Sequence, residues 1–127
     1  MAKKPEKRKT VVIVDDEDDV RQLLNEAFKK EGYNVYLAEN GLKLIAILRA
    51  EKVDAVLLDI NLPWLSGYQI CKSIKNDQKL AGTKVIYVSG MIVDEEECYS
   101  SGCDGVIKKP FRISAVIDEV NKKVKAG

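Results

Sequence analysis

Asp54-Ala55-Val56-Leu57-Leu58-Asp59 decides the fold of this chain. Ala55–Leu58 is a short apolar run with no polar alternation, so it reads as a strand buried on both faces. Such strands belong to parallel sheets covered by helices on both sides. The run ends in a carboxylate. In open α/β sheets, ligands gather at the carboxyl ends of strands, so Asp59 stands where chemistry is done. Taken alone, Asp59 reads better as the end of the strand and the cap of the next turn. The rest of the chain decides between the two.

Outward from that strand, the same unit recurs. Toward the amino terminus, Thr10-Val11-Val12-Ile13-Val14 is a second continuous apolar strand, and it ends in Asp15-Asp16. Val20, Leu23, Leu24, Ala27 and Phe28 then repeat at helical spacing, with Asp16 placed as N-cap and Gly32 as the stop. Tyr33–Ala38 is a strand, and Asn40 caps a helix with the stripe Leu44, Ile45, Leu48. Toward the carboxyl terminus, the Pro- and Gly-punctuated loop Asn61–Gly67 leads to a helix carrying Ile70 and Ile74, with Ser66 as its cap. Lys84–Val88 is a strand ending in Ser89-Gly90. Asp94-Glu95-Glu96-Glu97 suits a helix first turn, where acids meet the positive end of the macrodipole, and Gly102 stops that helix. Gly105–Lys108 is the last strand, before Lys109-Pro110-Phe111. Ile113, Val116, Ile117, Val120 and Val124 mark a final amphipathic helix. Strand and helix alternate five times, which calls for a mostly parallel sheet between two helical layers with right-handed crossovers.

Composition narrows the function. The 127 residues suit one domain with a core that needs no disulfide or metal. A formal net charge of +1 argues against bulk electrostatic binding of nucleic acid. No apolar run approaches bilayer length, and the basic start, residues 1–9, lacks an apolar signal region; it reads as a solvated arm ahead of a domain at 10–127. Three cysteines, Cys71, Cys98 and Cys103, without a C-x-x-C pair, read as reduced thiols of a cytoplasmic protein, with Cys98 and Cys103 as small buried hydrophobes and a redox sensor as the lesser alternative. There is no histidine, which excludes Ser-His-Asp and Cys-His catalysis and a phosphohistidine donor role. Chemistry falls to carboxylates, lysine and hydroxyls.

Those groups share one edge of the expected sheet. Asp15 and Asp16 end the first strand, Asp59 the third, Ser89 the fourth, and Lys109 the fifth. Clustered carboxylates repel unless a cation sits among them, and hard oxygen ligands suit Mg²⁺. A lysine and a hydroxyl opposite can hold phosphate oxygens. Phosphoryl transfer to an aspartate uses all these parts.

The stretches V-V-I-V-D-D-E, L-L-D-I-N-L-P-W-L-S-G, V-S-G and K-K-P-F, in this order, resemble the receiver domain of two-component response regulators over residues 10–125. The resemblance implies a flavodoxin-like (βα)5 fold, a three-layer sandwich with a parallel five-stranded sheet of order 2-1-3-4-5. It implies Asp59 as phosphoacceptor and Asp15 and Asp16 as the acidic pair organising Mg²⁺, with Asp59 and the backbone carbonyl of Asn61 as further ligands. Ser89 matches the switch hydroxyl. Lys109, rather than Lys108, matches the lysine that contacts the phosphoryl group, and a cis peptide to Pro110 is expected with it. The implied partners are a sensor histidine kinase or phosphotransfer protein and a downstream protein target, with a homodimer through the last two helices as a further arrangement. The implied chemistry is autophosphorylation and autodephosphorylation within a signalling domain, not conventional turnover. One position departs from the pattern: Val106 stands where the family often carries a switching aromatic, and a valine cannot swing a ring. Either Ser89 and the loop to Asp94 then carry the signal, or Val106 marks no more than a different partner surface. Trp64, in the loop after Pro63, suits a partner anchor or a partly covered loop aromatic. Two other readings compete. A pseudo-receiver would keep the fold without phosphorylation. An aspartate-nucleophile phosphatase would need an acid where Asp59-Ile60-Asn61 offers an amide.

Overall fold

The computed structural model describes residues 8–60, 66–90 and 94–126. Five strands and five helices alternate: β1 (Thr10–Val14), α1 (Asp18–Lys30), β2 (Asn34–Ala38), α2 (Gly41–Ala50), β3 (Ala55–Asp59), α3 (Gly67–Asn76), β4 (Lys84–Ser89), α4 (Glu95–Ser101), β5 (Gly105–Lys108) and α5 (Ile113–Ala126). The strands form one sheet of order β2-β1-β3-β4-β5, and every pairing is parallel. This is the flavodoxin-like order that the resemblance implied.

The central strands are apolar throughout because both faces of the sheet are covered. Every residue of β1 and β3 is buried. Alternate side chains serve opposite layers. Val12, Val14, Val56 and Leu58 pack with Leu44 and Leu48 of α2 and Ile70, Cys71 and Ile74 of α3. Val11, Ile13, Ala55 and Leu57 pack with Leu24 and Phe28 of α1 and Val116, Val120 and Val124 of α5. Register places Val14 beside Leu58, and Asp59 beside Val88. The ends of β1, β3 and β4 are thereby level.

Local signals fix the helix ends. Asn40, Ser66 and Asp94 each accept a hydrogen bond from a backbone N–H of the following helix, those of Lys43, Tyr68 and Glu97. Gly32 (φ 90°) and Gly102 (φ 82°) end α1 and α4 in the left-handed region that glycine tolerates. The expected cap of α1 is displaced by one residue. Glu17, not Asp16, holds the N-cap position, and its side chain makes no capping bond. The reason lies in Asp15, whose Oδ1 accepts the Glu17 N–H at 2.9 Å and turns the chain before the helix starts. The second strand begins at Asn34; Tyr33 is buried beside Phe28, their rings edge to face at 5.2 Å. Residues 1–7 lie outside the described part of the expected arm, and Lys9 already joins the sheet edge, its carbonyl accepting the Asn34 N–H. Among the described residues, no helix is long and apolar enough to cross a membrane.

Candidate functional site

The site lies where the carboxyl ends of β1, β3 and β4 meet the loop after β5. Asp15 follows β1 directly and is 2 % exposed; its backbone N–H bonds to the Ala38 carbonyl, which holds it in line with the strand. Asp59 is the last residue of β3 and Ser89 the last of β4, and both are buried. Lys109 leaves β5 with its backbone N–H on the Ser89 carbonyl at 2.8 Å, and the Lys109–Pro110 peptide is cis, as expected. Four of the polar groups read from the sequence are thus brought to one place from four strands.

Lys109 is the bridge. Its Nζ donates to Asp15 Oδ2 at 2.9 Å and to Asp59 Oδ2 at 3.5 Å, and lies 3.9 Å from Glu17 Oε1. Burial disfavours the ammonium, but the Asp15 hydrogen bond and the charges of Asp15, Asp59 and Glu17 outweigh it, so its pKa stands above the ordinary 10.5. The ammonium therefore stays charged and aimed at both carboxylates.

The carboxylate oxygens of Asp15, Asp16 and Glu17 lie within 4.8 Å of one another, Asp15 buried and the other two exposed. Sequence reasoning placed Asp59 with Asp15 and Asp16; in the structure Glu17 completes the close cluster, and Asp59 is joined to it through Lys109. Glu17 stands in the D-D-E run but was not read as a site residue, because its place depends on the Asp15 hydrogen bond described above. Arg21 adds a second cation at the rim. It donates to the Asp15 carbonyl through Nη1 and pairs with Asp18 through Nη2. Three carboxylates around one ammonium, with Asp16 beside two of them, form a donor set of hard oxygens with excess negative charge, which fits a divalent cation such as Mg²⁺. Asn61, whose carbonyl was the fourth expected ligand, and Trp64 both lie outside the described residues.

Gly67 holds the floor of the site together. A Cβ there would stand 2.7 Å from the Ile60 Cα and 3.1 Å from the Asp59 carbonyl oxygen, so α3 can approach the end of β3 only with glycine at this position. The Gly67 N–H bonds to the Ile60 carbonyl at 3.0 Å. Away from the site, a depression of about 470 Å³ is lined by Lys9, Asp54, Thr83 and Lys84. It opens at the amino ends of the strands, opposite to the edge where ligands of open α/β sheets gather.

Comparison with known proteins agrees with this geometry. The family model described as the response regulator receiver domain matches residues 11–121. The chain is 36% identical over 112 residues to the sporulation initiation phosphotransferase F of Bacillus subtilis (strain 168), covering 88% of this chain and 90% of that protein. It is 32% identical over 114 residues to the polar-differentiation response regulator DivK of Brucella anthropi, covering 88% and 93%. Among solved structures, a putative response regulator from Chloroflexus aurantiacus superposes with a TM-score of 0.87 at 25% identity, covering 94% of this chain and 99% of that one. The chemotaxis response regulator CheY4 of Vibrio cholerae shares the fold, with a TM-score of 0.86 at 22% identity, covering 92% and 99%. With the family model spanning all five strands and the carboxylates and lysine meeting at the edge that this topology exposes, the chain belongs to the response regulator receiver domain family.

Proposed function

We propose that this receiver domain is a phosphorylatable switch that takes a phosphoryl group onto Asp59 from the phosphohistidine of a sensor kinase or phosphotransfer protein. The observation that carries the reading is the Lys109 ammonium held between Asp15 and Asp59. In the transfer, the donor's P–N bond breaks and a P–O bond forms to an Asp59 carboxylate oxygen. The attacking oxygen must be ionised, and a neighbouring ammonium favours that form. Asp15, Asp16 and Glu17, with Asp59, would hold Mg²⁺. When bound, that ion offsets negative charge on the transferring group. Lys109 supplies a donor to a phosphoryl oxygen in the position it now uses toward Asp59. Ser89, one residue beyond the register partner of Asp59 on the neighbouring strand, offers a hydroxyl to another oxygen.

The downstream partner of this switch is a protein that reads α4 and β5. There Tyr99 is 91% exposed and Val106 38% exposed, an aromatic and an apolar group open to solvent. The test of the transfer is incubation with a small phosphoramidate, with Mg²⁺ and with chelator, followed by intact mass measurement. Wild type gains the mass of one phosphoryl group in the presence of Mg²⁺, and Asp59→Asn gains none. Equal labelling of the variant contradicts the assignment.

A further inference from the structure

Cys98, in the last turn of α4, and Cys103, two residues beyond that helix, stand with their sulfurs 2.7 Å apart. They are free thiols, and both are half-buried. Their approach follows from the backbone. Gly102 takes the left-handed conformation, and its N–H closes onto the Tyr99 carbonyl at 3.2 Å, which folds Cys103 back against the helix it has just left. The third thiol is different. Cys71 is fully buried and donates its S–H to the Ser101 carbonyl at 3.3 Å.

We propose that Cys98 and Cys103 form a reversible intramolecular disulfide when the protein meets a disulfide oxidant such as oxidised glutathione, and that this bond pins the end of α4. Sulfurs this close need only a small approach to reach bonding distance, and partial exposure admits a small oxidant. Burial first, then the hydrogen bond with Cys98, pushes the Cys103 thiol up to about 12. The Cys98 thiolate attacks one sulfur of the oxidant, and one small thiolate leaves. Cys103 then attacks the Cys98 sulfur of the mixed disulfide, and the second small thiolate leaves. The oxidant's S–S bond is broken, the Cys98–Cys103 bond is made, and the two protons released go to the departing thiolates.

The bond has a mechanical consequence. The Cys103 side is already anchored: the Asp104 carboxylate accepts the Val85 N–H at 2.8 Å and pairs with Lys75 at 2.7 Å. The Cys98 side belongs to α4, whose Ser101 hydroxyl meets the Tyr87 hydroxyl at 2.5 Å and donates to the Cys98 carbonyl at 2.8 Å. A covalent link between the two removes freedom from the last turn of the helix. Its effect on signalling rests on the phosphorylatable-switch reading; the bond itself does not.

The test uses the whole chain, first reduced and then equilibrated with oxidised glutathione without any phosphodonor. Wild type should lose two hydrogens and keep one alkylatable thiol of its three. A peptide map should link Cys98 to Cys103, and dithiothreitol should restore the thiols. Cys71→Ala should behave as wild type in forming the link, and Cys98→Ser should not form it. Amide exchange across α4 should slow by roughly tenfold in the oxidised wild type, as a short closed ring restricts local opening. A stable glutathione adduct with both sulfurs left unlinked, a link to Cys71 or a link between chains overturns the proposal. A correct link without slower exchange overturns the pinning of α4. None of these readouts involves Asp59, so they fail or succeed apart from the phosphorylation tests.

Discussion

At the scale of single residues, the site is a balance between the Lys109 ammonium and the three carboxylates it faces, Asp15, Glu17 and Asp59. Removing Asp59's charge relieves repulsion with Asp15 while keeping the shape of the side chain. Asp59→Asn should therefore raise stability in metal-free buffer by roughly 1 kcal/mol, the size of a one-unit pKa perturbation, measured by urea unfolding. Equal or lower stability would show that Lys109 already compensates both acids. Lys109 itself carries a pH signature. Its folded pKa is raised above 10.5, so its contribution to stability is complete below the unfolded value and is lost as pH rises through the folded one. The stability gap between wild type and Lys109→Met should hold below the unfolded pKa, about 10.4 for a free lysine, and shrink as pH rises through the raised folded value. A gap that stays constant through that window contradicts the ion-pair account. Most of this balance was legible in the sequence. Asp15, Asp59, Ser89 and Lys109 each follow a recognisable strand, so one topology carries them to one edge. Glu17 was not legible as a site residue, because its place depends on a side chain–backbone turn at Asp15 that periodicity does not reveal.

Among the elements, caps and close approaches decide how firmly the helices are set against the sheet. Asn40 and Ser66 have capping bonds and Glu17 has none. Asn40→Ala and Ser66→Ala should each cost about 1 kcal/mol, and Glu17→Ala much less, in equilibrium unfolding. Gly67→Ala should cost more than either cap, roughly 1–3 kcal/mol, because the new methyl meets backbone at Ile60 instead of a side chain that can turn away. It should also disturb Asp59, whose carbonyl is the next nearest atom. A Gly67→Ala protein of wild-type stability would show that α3 is free to retreat. The caps at Asn40 and Ser66 were readable because each stands just before an apolar repeat, whereas Asp94, read as a first-turn acid, caps the helix that starts at Glu95. The tie between β4 and α4 through Tyr87 and Ser101 was not, since neither residue belongs to a local pattern and only the tertiary fold brings the two hydroxyls together. The pairing of Cys98 with Cys103 was hidden for a similar reason: five residues apart, they meet only because Gly102 reverses the chain between them.

Across the whole molecule, β4 joins the carboxyl edge of the sheet, where the site lies, to α4. Ser89 ends that strand at the site. Two residues earlier Tyr87, fully buried, reaches the Ser101 hydroxyl of α4 and lies beside Val106 in the sheet register. With valine at position 106, no ring on β5 can swing, and we propose that a change at Asp59 reaches α4 through Ser89 at the end of β4. Amide exchange with and without a beryllofluoride phosphoryl mimic should change across residues 94–101, weaken in Ser89→Ala and survive in Val106→Ala. The reverse pattern would place the coupling on β5. All of this presupposes that Asp59 carries the phosphoryl group, and one measurement addresses that directly. Borohydride reduction of the phosphorylated chain converts an aspartyl phosphate to homoserine, which peptide mass mapping locates. Homoserine at position 59 alone is the predicted result; homoserine at position 15 or 16, or at no aspartate while the phosphoryl mass is present, would contradict it.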